Sequence, residues 1–175
     1  MDLFEAIFKR HSFRGTFLDK LVCRNNLIKI VETALAAPSA CNAQSPKFII
    51  LDDPALLEQI KALFQSPVVQ TAKAFILCIA DERPVYRNIS FWAEDCAAAV
   101  ENMLLAITAL GYATVWLDGI LRDGLGENIA RLVSLPKHLR VQILLPIGIP
   151  STEESQPKKL PFEKRVFFNR YQKNE

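Results

Sequence analysis

From Ser90 to Gly111 the chain reads SFWAEDCAAAVENMLLAITALG, and past Asp95 its one charge is Glu101. A serine at the front and a glycine at the back mark a helix of roughly 30 Å at the usual rise per residue. From Ala97 to Leu110 apolar side chains occupy almost the whole circumference. A helix on a protein's surface keeps a polar face. This one must therefore be central to the fold or to an oligomer interface, with the other elements laid around it.

Those elements alternate between helix and strand. KAFILCIAD, residues 73–81, is a continuous apolar run and predicts a central strand buried on both faces. KFIILDD predicts a second strand, followed by PALLEQIKALF with proline at a helix start. ATVWL and RVQILLPIG predict two more, with a helix in GENIARLVSL between them. NNLIKIVETALAAP predicts a helix capped by Asn25 or Asn26 and ended by Pro38. Its buried side would be Leu27, Ile28, Ile30, Val31, Ala34 and Leu35. Asp2 can cap a first helix that presents Leu3, Phe4, Ala6 and Ile7 and runs to about Arg10. The pattern predicts an α+β sandwich, a mixed central sheet of four to five strands flanked by helices, in one domain of 175 residues.

The tail, about 157–175, carries Phe162, Val166, Phe167, Phe168 and Tyr171 behind the loop PSTEESQPKKLP. Left in water, such a cluster costs about 25 cal/mol per Å2 of apolar area. It must dock on this molecule's core or on a neighbour's.

Several classes of function are excluded or disfavoured. Net charge is only +2, too little for electrostatic binding of nucleic acid or membrane by the chain as a whole. Two histidines, 11 and 138, and four scattered cysteines, 23, 41, 78 and 96, make no metal-ligand or redox spacing. Cys78 and Cys96 read as small core residues. MDLFEAIFKR is acidic where an export signal is basic. The uncharged run 102–117 is broken by Gly111 and falls short of the ~18 residues of a membrane span. The expected setting is soluble, reducing and cytoplasmic. Serine-elbow, phosphate-loop and dinucleotide glycine motifs are absent, and Gly124-Leu125-Gly126 reads as a turn.

Two stretches carry chemistry. KRHSFRGTF, residues 9–17, gathers Lys9, Arg10, His11 and Arg14 with Ser12, and no carboxylate follows before Asp19. Guanidinium groups grip phosphate oxygens in pairs, and a hydroxyl adds a donor. The same charges also suit a solvated helix C-terminus. AAPSACNAQSP, residues 36–46, frames Ser39, Asn42 and Gln44 with two prolines. It offers amide and hydroxyl groups beside small residues that admit a flat ligand, or it is a plain helix-to-strand connection. Trp92 and Trp116 sit in apolar elements and read as core; Glu94 and Asp95 read as a solvated pair or as an N-terminal helix pair favourable to the dipole. Cys41, with no second cysteine or base beside it, reads as a filler.

In order and spacing, Arg10-His11-Ser12-Phe13-Arg14-Gly15-Thr16-Phe17 and Ala37-Pro38-Ser39-Ala40-Cys41-Asn42-Ala43-Gln44-Ser45-Pro46 resemble the two motifs of the nitroreductase-like family of FMN-dependent oxidoreductases. The long helix and the LLPIGIP strand follow in the family's order. The resemblance implies a nitroreductase-like homodimer with shared flavin sites and a C-terminal extension onto the partner. Arg10, His11 and Ser12 would hold the FMN phosphate and ribityl end, and Arg14 would lie near the pyrimidine edge. Pro38, Ser39, Asn42 and Gln44 would belong to the loop that covers the flavin from the other subunit. The Asp118-Gly119 backbone would approach flavin N5 and O4, and Lys159, with Lys158 next to it, would be the C-terminal phosphate ligand. The implied activity is ping-pong hydride transfer from NADH or NADPH to a nitroaromatic, quinone or similar small electrophile. It needs no catalytic side chain and no metal. The alternative is a non-catalytic flavin-binding, storage or sensing homodimer. The sequence departs from the family in three ways: LFQSPVVQ offers only Gln65 and Gln70 where a basic or amide pair is usual, Asp118 stands where larger relatives have glutamate, and the chain is short.

Overall fold

A computed structural model describes residues 1–171. Six helices, α1 (Leu3–Lys9), α2 (Arg24–Leu35), α3 (Pro54–Lys61), α4 (Pro67–Gln70), α5 (Trp92–Ala109) and α6 (Leu125–Leu132), surround three strands, β1 (Lys47–Leu51), β2 (Ala74–Asp81) and β3 (Leu139–Ile147). The sheet is antiparallel throughout, in the order β1-β2-β3. The α+β sandwich is therefore present, but the sheet has three strands instead of four to five and is not mixed.

The missing strand has a local cause. Residues 113–117 run alongside β3 and touch it only at two antiparallel bridges, Ala113 with Gly148 and Leu117 with Leu144. That register sets Val115 opposite Pro146, which has no N–H to donate, so the ladder fails in the middle. On its other side the carbonyl of Thr114 accepts from the N–H of Phe13 at 2.9 Å.

β2 explains its own composition. Phe75, Leu77 and Ile79 enter one core with Leu57 and Ile60 of α3, Val68 and Val69 of α4 and Ile129 of α6. Ala74, Ile76, Cys78 and Ala80 enter the other with Leu27 and Ile30 of α2 and Val100, Met103 and Ile107 of α5. Side chains alternate along a strand, so two covered faces demand an unbroken apolar run. In β3 the register slips at Gln142, between the pairs Cys78–Ile143 and Ile79–Val141. This bulge turns Val141 and Ile143, two residues apart, to opposite cores.

Helix ends follow the expected chemistry in part. Asp2 and Glu5 form a capping box on α1, and Asp53 caps α3 ahead of Pro54. Gly111, at φ +78°, closes α5, with Tyr112 N–H on the Ile107 carbonyl and Gly111 N–H on that of Thr108. Two expected caps are not used. Cys23 precedes α2 without a side-chain bond, while Asn26 donates to the Tyr112 hydroxyl at 3.0 Å. Phe91, not Ser90, precedes α5, and the Ser90 hydroxyl is buried without a partner among the described residues. On α2 only Leu27, Ile30 and Ala34 are buried; Ile28 and Leu35 face outward. On α1 only Ala6 is buried. Among the described residues no helix is long and apolar enough to cross a membrane.

Candidate functional site

The basic corner is built by what lies beneath it. Phe13 and Phe17 are buried, their ring centroids 5.2 Å apart. Phe17 N–H donates to Thr71 Oγ1 at 2.9 Å, and its ring lies where a side chain on Gly148 would be. A Cβ on Gly15 would stand 2.8 Å from the Phe13 ring, so this bend admits only glycine. With both phenylalanines turned inward, Arg14 and Thr16 are turned out.

Arg10 ends α1 and is 21% exposed at its side chain; its Nε lies 3.7 Å from Glu101 of α5. At that distance the pair leaves most guanidinium donors free for another anion. His11 Nδ1 is 2.9 Å from the Lys9 carbonyl, and Arg14 Nη1 donates weakly to the Ser12 carbonyl at 3.4 Å. Gln156 Nε2 donates to the Arg10 carbonyl at 2.7 Å and ties the start of the tail to the corner. Lys159 is exposed and follows three residues later, so its Cα lies within about 11 Å of that of Gln156. A cleft of 830 Å3 opens beside the corner, with Lys9 and His11 on one wall and Ser151, Glu153, Glu154 and Gln156 on the other.

The Asp118-Gly119 turn is reached from the corner along the chain. From Thr114, bonded to Phe13, four extended residues lead to Asp118, about 13 Å. A short 3-10 turn, Gly119–Arg122, begins there, and Asp118 is 3.9 Å from Arg122. Open space surrounds Gly119 where a side chain would project, so its backbone is accessible. Asp118 also lines a 460 Å3 cleft with Trp92, Arg122, Arg140 and Gln142. Trp92 is half-buried there, beneath the Arg140 guanidinium 4.5 Å from its ring, and the cleft was not foreseen from the sequence.

The loop bearing Pro38, Ser39, Asn42 and Gln44 is elsewhere. It hangs from the first turn of α5, where Asp95 accepts from Ala40 N–H at 2.9 Å and from Ser45 Oγ at 2.7 Å. Asp95 and Glu101, which meets Arg10, are six residues apart: about 9 Å along α5 and 240° around it. Arg10, His11, Ser12 and Arg14 thus share one corner, and Lys159 is tethered near it. The loop of the same chain faces another way. Cys41, Asn42 and Gln44 all hold left-handed backbone, at φ 51°, 54° and 48°. Nothing in the sequence signals this, since the loop has no glycine.

Of the two readings of Glu94 and Asp95, the structure bears out the helix-start pair, both lying in the first turn of α5, but Asp95 is buried at 3% exposure and is not solvated. Gln70 is spoken for as well, donating to the carbonyls of Lys61 and Phe64 at the end of α3. Cys78 and Cys96 are buried, as read; the hydrogen bond between them and burial push the Cys78 thiol well up, away from reactivity. No cluster of metal ligands occurs among the described residues.

The Nitroreductase family profile matches residues 7–77 and 62–149. A candidate NADH dehydrogenase/NAD(P)H nitroreductase of Archaeoglobus fulgidus is 30% identical over 151 residues, 86% of either chain. A crystal structure of a protein of the same description from Bacteroides thetaiotaomicron superposes with a TM-score of 0.84 at 26% identity, covering 97% of this chain and 98% of that one. A candidate nitroreductase from Desulfovibrio desulfuricans, crystallised in complex with FMN, superposes at 0.81 with 26% identity over 98% and 99%. Sequence, fold and the order of the site segments lead to one assignment: the chain belongs to the nitroreductase family.

Proposed function

We propose that this protein is an FMN-dependent NAD(P)H oxidoreductase, one domain over residues 1–175 of a cytoplasmic homodimer with shared flavin sites. The observation that carries the reading is the corner at Arg10, His11, Ser12 and Arg14, where Glu101, 3.7 Å from Arg10, is the one carboxylate within 4 Å of a cationic nitrogen among the described residues. The donor set fits FMN. Guanidinium, imidazole and hydroxyl groups stand at one corner, with a lysine pair tethered nearby, and an accessible backbone turn lies about 13 Å away along residues 114–118. That arrangement suits a ligand with a dianion at one end and a ring of hydrogen-bonding atoms at the other.

Arg10, His11 and Lys159 hold the phosphate, and Ser12 donates to the ribityl chain. Arg14 sets positive charge beside the pyrimidine edge. The backbone at Asp118 and Gly119 would offer hydrogen bonds to the ring, and Pro38, Ser39, Asn42 and Gln44 of the second subunit would cover it. When bound, FMN supplies hydride chemistry in two half-reactions, NADH or NADPH giving and a nitroaromatic, quinone or similar electrophile taking. The chain's task is orientation, charge and exclusion of water, and no side chain serves as acid or base.

The dimer explains both chain ends. Phe4 and Phe8 of α1 and Phe168 of the tail are between 70 and 77% exposed in one chain, a cost that a second subunit removes.

An absorbance spectrum of the purified protein, taken before and after anaerobic addition of NADH or NADPH, tests the reading. Yellow protein that bleaches is the expected result. Protein that stays colourless after FMN is added rejects flavin binding. Yellow protein that neither nucleotide bleaches turns the assignment to the non-catalytic flavin-binding alternative. A monomeric mass at micromolar concentration rejects the shared site.

A further inference from the structure

We infer that Asp95 is the positioning residue of the flavin-covering loop: its carboxylate, seated on α5, fixes the backbone shape in which Ser39, Asn42 and Gln44 are presented to the second subunit's cofactor. The inference rests on the proposed FMN site and adds to it a residue that does not touch the cofactor.

A buried carboxylate is costly unless its oxygens are satisfied. Asp95 has no ion-pair partner within 4 Å among the described residues, and both of its oxygens are spent on one loop. Oδ1 accepts from the Ala40 N–H and Oδ2 from the Ser45 hydroxyl. Its place in the first turn of α5 sets the helix dipole behind that negative charge. If the position served only to hold α5 in the core, an apolar side chain would do so at less cost. The two acceptors have a purpose only if the two donors must be held at a fixed separation.

What lies between those donors supplies the purpose. Cys41, Asn42 and Gln44 are non-glycine residues in left-handed conformation, which persists only where the surroundings over-determine it. Within the loop, Ser39 Oγ accepts from Gln44 N–H at 2.9 Å, and the Asn42 N–H donates to the Ser39 carbonyl at 3.0 Å. From outside, Arg83 Nη2 reaches the Ala43 carbonyl at 3.1 Å. These bonds shape the loop but do not join it to the core. Asp95 does, because its neighbours Cys96, Ala99 and Val100 are buried and α5 cannot yield. Asp95 therefore sets the register between the rigid helix and the polar side chains offered across the dimer.

Full-length Asp95→Asn, Asp95→Leu and Ser45→Ala, each checked for dimer mass, provide the test. Asparagine keeps both contacts, accepting from Ala40 through Oδ1 and donating to Ser45 Oγ through Nδ2; leucine keeps neither. Hydrogen exchange of the apo protein over residues 39–46 should speed by about tenfold or more in Asp95→Leu, and the FMN dissociation constant should rise by about tenfold. Asp95→Asn should stay within about threefold of the parent on both, and Ser45→Ala should fall between. Unchanged exchange in Asp95→Leu overturns the inference, and so does loosened exchange with unchanged FMN affinity. If Asp95→Leu does not fold, Ser45→Ala decides: parental exchange and affinity in that variant overturn the inference. A parent protein that takes up no FMN defeats the proposed function and this inference together. A parent that binds FMN, beside an Asp95→Leu that binds as tightly, defeats this inference alone.

Discussion

Ile76 in β2 and Phe168 in the tail are both large apolar side chains, yet the first is wholly buried and the second is 77% exposed. The contrast extends to their surroundings. β2 is covered on both faces by helices of its own chain. At the ends, α1 buries only Ala6, and the tail stacks Phe162 near Phe168 and Phe167 on Tyr171 without burying them. One chain buries its sheet by itself and leaves large apolar side chains at both ends exposed. The basic corner lies between the two regimes: Arg10 closes α1, and the Arg10 carbonyl holds Gln156 where the tail departs. A site placed at that seam can be completed by a second subunit without disturbing the core.

If the contrast is right, a cut in the interior should cost most. Leu77 is fully buried in β2, and Leu77→Ala should lose about 2–5 kcal/mol of unfolding free energy in a denaturant titration. A loss below about 1 kcal/mol would mean that the core is looser than its burial implies.

At the seam, stability and binding should separate. Arg10→Ala should weaken FMN binding by about 1.5–3 kcal/mol, the scale of a lost charged hydrogen bond, as measured by flavin fluorescence titration. Its apo unfolding should move by less than about 0.5 kcal/mol, because the Glu101 pair it gives up is long and half in water. Equal affinity in parent and variant would remove the phosphate from this corner.

At the ends the split should reverse in kind. Phe168→Ser should leave the unfolding of the isolated chain within about 0.5 kcal/mol and raise the dimer dissociation constant by about tenfold. Sedimentation across a dilution series reads the second quantity. An unchanged dimer would leave the exposed tail without the neighbour assigned to it.

What could be read in advance divides along the same line. The double burial of β2, the proline start of α3 and the glycine stop of α5 depend on residues near one another in the chain, and patterns of spacing capture them. The basic corner was legible for the same reason, being one short segment. The rest depends on what lies opposite. ATVWL has the composition of a strand, and only its register against Pro146 stops it from becoming one. Ile28 and Leu35 fit the period of α2, but the stripe covered by α5 is narrower than their pattern. Asp95 sits beside Glu94 in a helix start, and only the arrival of Ala40 and Ser45, some fifty positions earlier, makes it a buried clamp. Sequence periodicity shows which face turns inward, not which donors come to meet it.

The smallest effect should lie on the border itself. Lys73, which leads into β2, meets Asp19 at 2.6 Å just beyond the basic corner and so ties the opening segment to the sheet. The Lys73 hydrogen bond, and then its charge, hold the Asp19 carboxyl below the usual carboxylate range. Its value is lower folded than unfolded, so the pair's contribution is present above that range and is lost as pH falls through the lowered value. Asp19 is almost fully exposed, which leaves the pair open to screening by water and salt. The melting temperature of Asp19→Asn should therefore sit slightly below the parent's at neutral pH and low salt. The gap should narrow in high salt and close in acid below the ordinary carboxylate range. A gap that ignores both pH and salt would show that Asp19 acts through its backbone turn and not its charge, and the opening segment would then be held by the buried Phe13 and Phe17 and by backbone bonds such as that from Leu18 N–H to the Ile149 carbonyl.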